Sequence, residues 1–149
     1  MNLELQNKIL EGAKKHIGYK EAKNNDNIFG KAFNLNNVAW CYLFVSYVLI
    51  HEAKMKITSC AYVPTGYNWY KANGKLFKEP QPSDLVFFDF DKDGIPEHIG
   101  FCEKDNNDGT ITTIEGNTSS GLVGSQANGD GVYRRKRHKS LVLGYGRVC

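Results

Sequence analysis

The chain changes its hydrophobic rhythm once, and that change restricts the folds open to it more than any other feature. Early on, apolar side chains recur at helical spacing. Leu3, Leu5, Ile9, Leu10, Ala13 and Ile17 predict an amphipathic helix over residues 3–16, closed by Gly18. From Cys41 to Ile50 nearly every residue is apolar, with Cys41, Phe44, Val45 and Val48 on one stripe, so this helix must be buried on most of its sides. An Asn-rich polar loop separates the two, and Asn36 or Asn37 is placed to cap the second. A short helix is expected around "TGYNWYKANG". Beyond it the pattern becomes short apolar runs divided by Gly, Asp and Asn: "DLVFFDF", "HIGFCEK", "TITTIEGN", "GVYRRKRH" and "LVLGYGRV". Helices first and strands after them predict an α+β domain, its N-terminal helices packed on a mainly antiparallel sheet.

At 149 residues, the expectation is one domain spanning 1–149 with a core that needs no disulfide or metal. The net charge of +3 is too small to imply nucleic acid, and no RNA-binding motif or recognition helix is visible. "MNLELQNKILEGAKKHIG" lacks the features of a secretory signal, and no run is long enough for a membrane span. The expectation is a protein made in the cytoplasm, with no membrane partner. Cys41, Cys60, Cys102 and Cys149 lie far apart without a Cys-x-x-Cys pair, which removes zinc-ribbon and thioredoxin-type readings.

"EHIGFCEKDNNDGTITTIEGN" predicts two strands joined by a tight turn. A two-residue loop at Asn106 and Asn107 would set His98 directly opposite Glu115, within reach of a carboxylate–imidazole hydrogen bond. A turn centred on Asp108 and Gly109 would set His98 opposite Ser119 instead, with Asn117 as a diagonal neighbour. In either register the period of two puts Glu115 and Asn117 on the face of His98. Such a pair alone is ordinary strand surface; Cys41, at the start of an apolar helix, gives it a chemical reading. A helix N-terminus favours a thiolate through its partial positive charge, a facing imidazole can hold that thiolate as an ion pair, and a third group sets which ring nitrogen faces sulfur.

Taken in order, "AWCYLFVSYVL", "SDLVFFDFDKDG", "EHIGF", "TIEGN" and "GVYRRKR…LGYGR" closely resemble the CHAP domain of cysteine, histidine-dependent amidohydrolases and peptidases, over about Gly18 to Arg147. The resemblance implies a papain-like fold and cleavage of an amide bond in bacterial peptidoglycan. It implies Cys41 as nucleophile, His98 as general base and acid, Glu115 as the orienting third residue and Asn117 as a supporting one. The first backbone N–H of the Cys41 helix would supply one oxyanion donor, with Asn36, Asn37 and Asn117 as candidates for a second. No redox cofactor or nucleotide is required. The setting implied is a phage or prophage lysin, as a monomer or as the catalytic part of a larger lysin, reaching the wall after release from the cytoplasm. Rival readings are a wall-binding module without turnover and a cysteine acyltransferase on the same fold.

Other features carry weaker readings. "DFDKDG" has the Asp-x-Asp-x-Asp-Gly opening of a calcium loop, so Asp89, Asp91 and Asp93 are candidate ligands, although Gly100 stands where a bidentate Glu belongs. "RRKRHK", residues 134–139, reads as a solvated strand edge that could attract anionic wall polymers. Trp40 and Trp69 are candidates to line a substrate groove, while Tyr42, Tyr67 and Tyr70 are expected in the core. Cys60, Cys102 and Cys149 are expected as unreactive thiols, and His16, His51 and His138 as residues without chemistry.

Overall fold

The structure is a computed structural model and describes residues 2–120 and 129–149. Helix α1 runs over Leu3–Lys14, with the Asn2 side chain accepting from Leu5 N at 3.0 Å as its cap. It ends slightly before the expected boundary, and Gly18, at φ +97°, turns the chain so that its N–H reaches Val132 O. The expected polar loop contains a five-residue helix, α2 (Ile28–Ala32), capped by Asn27 onto Gly30 N. A helix this short carries almost no periodic signal. Helix α3 (Cys41–Tyr47) continues into a π-turn over Val48–Glu52, and α4 (Val63–Ala72) begins with Pro in its first turn.

Six strands follow among the described residues: β1 (Leu76–Phe77), β2 (Leu85–Phe88), β3 (His98–Asp105), β4 (Thr110–Thr118), β5 (Gly131–His138) and β6 (Val142–Gly146). Every pairing is antiparallel, in the order β1-β6-β2-β3-β4-β5. Strands β2 to β5 form a meander, and β6 returns to the far side of β2 with β1 beyond it. This is the α+β fold that the change of rhythm predicts. No helix among the described residues is long and apolar enough to cross a membrane.

Alternation explains why "LVFF" is buried at every position: Leu85 and Phe87 join the large core beneath the helices, while Val86 and Phe88 join a smaller cluster with Cys102, Ile111 and Tyr145 on the other face. The large core takes Leu43, Phe44, Val45 and Val48 from the central helix and Ile99, Phe101 and Ile114 from the sheet. Each such side chain contributes roughly 1.5–3 kcal/mol on burial. The helix also approaches β4 unusually closely: a Cβ at Gly116 would stand 2.7 Å from Phe44 Cβ and 2.9 Å from the Trp40 ring. A glycine in "IEGN" therefore lets the start of α3 settle onto the sheet.

Candidate active site

Cys41 is the first residue of α3 and almost fully buried, with Trp40 as the N-cap residue. No side chain caps this helix, contrary to the expectation for Asn36 or Asn37. Those two amides are committed to an upstream loop instead. Asn36 donates to Asp26 at 2.6 Å and accepts from Asn27 N, and Asn37 donates to Asn24 O.

His98 opens β3 and is completely buried. Its Nε2–H donates to Glu115 Oε1 at 2.8 Å. Neither anticipated hairpin register produces this contact. Near the turn Asp105 pairs with Ile111, and an irregularity between Cys102 and Lys104 then shifts the ladder so that Phe101 pairs with Ile114. One step further, Glu115 lies beside Gly100, and its carboxylate crosses that side-chain-free position to reach His98 diagonally. A Cβ at 100 would sit 2.5 Å from Glu115 Cγ.

Glu115 is held from two further directions. Thr113 Oγ1 donates to Oε2, and Arg137 forks onto both oxygens, Nε to Oε2 at 2.8 Å and Nη2 to Oε1 at 2.5 Å. Burial alone would raise the Glu115 pKa, but Arg137 and then His98 reverse this and bring it to about 2. Burial likewise disfavours the His98 imidazolium, yet the Cys41 thiol and the Glu115 carboxylate outweigh it and lift the ring to about 9. Nδ1 makes no closed hydrogen bond, while the Cys41 sulfur is near enough to act on the ring. The ring nitrogen left open is thus the one on offer to sulfur.

Asn117 is buried, in the left-handed region at φ +53°, with neither amide atom hydrogen-bonded. It lies inside the slip between Glu115 and Thr118 in the pairing with β5. Glu115, not Asn117, is the group bonded to the imidazole. An unpaired buried amide costs about 1–3 kcal/mol.

The basic run resolves into separate contacts. Arg134 forks onto Glu103, Arg135 donates to Ser119 O, Lys139 reaches Asp105 at 3.0 Å, and Arg137 is buried. β5 is an edge strand, as expected, and Arg134, Lys136 and His138 on it are exposed, whereas Arg137 is buried. Arg137 is the functional candidate that sequence reasoning missed. A signal was present: period two puts Arg135 and Arg137 on the Glu115 side of the neighbouring strand, and a buried carboxylate requires a cation.

Trp40, expected as a groove candidate, is fully buried, stacked on Phe29 at 5.5 Å and donating to Glu21 at 3.1 Å; it offers no face to a substrate. Trp69 on α4 is 52% exposed and edges a cavity of about 440 Å³ between α3 and α4, lined also by Tyr42, Cys60 and Tyr70 but by neither Cys41 nor His98. Burial pushes the Cys102 thiol up to about 12 and also raises Cys60 and Cys149. His16 pairs with Glu52, and His51 packs on Tyr47. The carboxylates of Asp89, Asp91 and Asp93 gather within 4.8 Å of one another and are joined by Glu97, which the loop pattern did not indicate. Gly100 at the nominal twelfth position lies within β3. Oxygen donors of this kind suit a hard cation such as calcium.

The CHAP domain family model matches residues 33–117, a span that contains Cys41, His98, Glu115 and Asn117. The fold is similar to the crystal structure of an N-acetylmuramoyl-L-alanine amidase from Staphylococcus aureus, with a TM-score of 0.50 and 18% sequence identity, covering 72% of this chain. The match extends over 30% of the staphylococcal chain. No curated protein matches the sequence significantly.

Proposed function

The chain belongs to the CHAP domain family, and on that premise we propose that it is a peptidoglycan hydrolase that cleaves an amide bond through a thioester on Cys41. The observation that carries this reading is the His98 ring, buried, tied by Nε2 to Glu115 at 2.8 Å and open at Nδ1 beside the thiol. Cys41 Sγ attacks the carbonyl carbon, and the Cys41 backbone N–H, at the first helical position, faces the developing oxyanion. One such donor is worth on the order of 3 kcal/mol. Of the side chains considered for a second donor, Asn117 is the one whose amide has no hydrogen-bond partner, while Asn36 and Asn37 each spend one amide N–H elsewhere. The imidazolium gives its Nδ1 proton to the leaving amine, the C–N bond breaks, and a thioester remains. Water, losing a proton to Nδ1, then attacks the thioester and releases the acid and the thiol.

Throughout, Glu115 stays ionised and keeps the Nε2 proton in place. No step needs a cofactor. Calcium belongs to this reading only as a structural accessory of the Asp89, Asp91 and Asp93 turn; calorimetric titration giving neither heat nor a rise in Tm would strike it out. A phage or prophage lysin, with the enzyme reaching the wall once the membrane opens, is the setting we propose.

Cys41→Ala should abolish wall clearing while leaving the circular dichroism spectrum and Tm close to those of the parent. Undiminished clearing would remove the assignment. Mass spectrometry of digested peptidoglycan, with assay of newly freed amino groups, distinguishes the muramoyl–L-alanine amide from a stem or cross-bridge peptide bond.

A further inference from the structure

We propose that Arg137 is a positioning residue of the thiol–imidazole pair, acting through Glu115: its guanidinium grips both carboxylate oxygens, so that Glu115 meets His98 as a charged and immobile acceptor. The inference rests on the reading of Cys41 and His98 as a reactive pair.

Arg137 is only 5% exposed, and its two bonds to Glu115 are joined by a third, from Nη2 to Thr118 Oγ1 at 3.2 Å. Its Cζ lies over the rings of Phe88 and Phe90, at 5.3 and 5.1 Å, and the same two rings pack against His98, each at 5.8 Å. Guanidinium and imidazole are thus set by one pair of aromatic plates, with the carboxylate bonded to both. The charged groups around this site are Cys41 from α3, His98 from β3, Glu115 from β4, and Arg137 and Arg135 from β5, the last sensing Glu115 electrostatically.

The physical reason lies in proton competition. A buried carboxylate compensated by an imidazolium alone can accept its proton and leave a neutral pair, which no longer supports a thiolate. Arg does not deprotonate in proteins, and its fork matches a carboxylate in two-point geometry. It therefore holds Glu115 ionised whatever the charge on His98. Lysine keeps the charge but supplies a point contact in place of the fork.

The test is the pH profile of Cys41 alkylation by iodoacetamide, resolved from the other three cysteines by peptide mass spectrometry. In Arg137→Gln the acid limb should move up by about one pH unit, so that labelling on the acid side falls about ten-fold while labelling above neutrality is unchanged. Arg137→Lys should lie between this variant and the parent. On a Glu115→Gln background, Arg137→Gln should add no further loss, because the residue it acts through is already neutral. If Arg137→Gln does not fold, the upward move of the limb in Arg137→Lys carries the same comparison.

A profile of unchanged shape at a uniformly lower rate, or an equal further loss on the Glu115→Gln background, would overturn the inference in favour of a purely structural role. Alkylation needs no peptidoglycan, which keeps the two readings separable. Parent protein that clears no wall while the limb still moves would sink the hydrolase reading alone. Intact clearing with an unmoved limb would sink the role of Arg137 alone.

Discussion

At position 98 a buried imidazole needs a partner for each ring nitrogen, and the way it obtains one of them depends on a residue with no side chain. Glu115 reaches His98 across Gly100, where a Cβ would approach Glu115 Cγ to 2.5 Å and Ile114 O to 3.1 Å. Gly100→Ala should therefore displace the carboxylate from both His98 and Arg137. We expect a stability loss of about 1–3 kcal/mol from overpacking, together with a fall in kcat/KM out of proportion to the loss of folded protein. Thermal melts and wall-clearing rates on the same samples check this; a stable variant with full activity would show that Glu115 has another route to the ring. Arg137 belongs to the same scale. Within "RRKRHK" it looks like its neighbours, and only burial separates it from Arg134 and Lys136, both of which remain exposed.

Between elements, the contact that matters is α3 on β4. Phe44 and Trp40 press on Gly116, the residue between Glu115 and Asn117, so the helix that carries Cys41 is seated on the strand that carries the carboxylate. Gly116→Ala would put a Cβ 2.7 Å from Phe44 Cβ and push the start of the helix away. A displacement of about 1 Å between reacting groups can slow a reaction about 10²-fold. The expected outcome is a drop of that order in kcat, accompanied by a lower Tm, measured by single-turnover digestion of wall fragments. Here the apolar run has two consequences at once: burial of Phe44, Val45 and Val48 anchors the helix, and the anchored helix determines where its first thiol stands. The same logic explains why α2 and β1 escaped sequence reading. Five and two residues respectively, they are held by neighbours and carry too little pattern of their own.

For the molecule as a whole, the buried ionisable cluster predicts how stability depends on pH. His98 has its pKa raised from 6.5 to about 9, so its contribution is complete below 6.5 and is lost as pH rises through about 9. Glu115 has its pKa lowered from 4.5 to about 2, so its contribution is complete above 4.5 and is lost as pH falls towards about 2. The two overlap fully between 4.5 and 6.5. Thermal melts should show the largest Tm difference between the parent and His98→Gln/Glu115→Gln inside that window, narrowing on either side; a difference independent of pH would contradict the charged pair. The α+β class, the apolar helix opening on Cys41, the strands that begin with His98 and carry Glu115, and the acidic turn at Asp89 are all legible in the chain, because each is written in local period or spacing. The hairpin register, the diagonal reach across Gly100, the burial of Trp40 and the pairing of Arg137 with Glu115 emerge only once the chain is folded. These depend on one irregularity in a ladder and on which cation a buried carboxylate draws from a neighbouring strand, and contacts between distant residues leave no period in the chain to read.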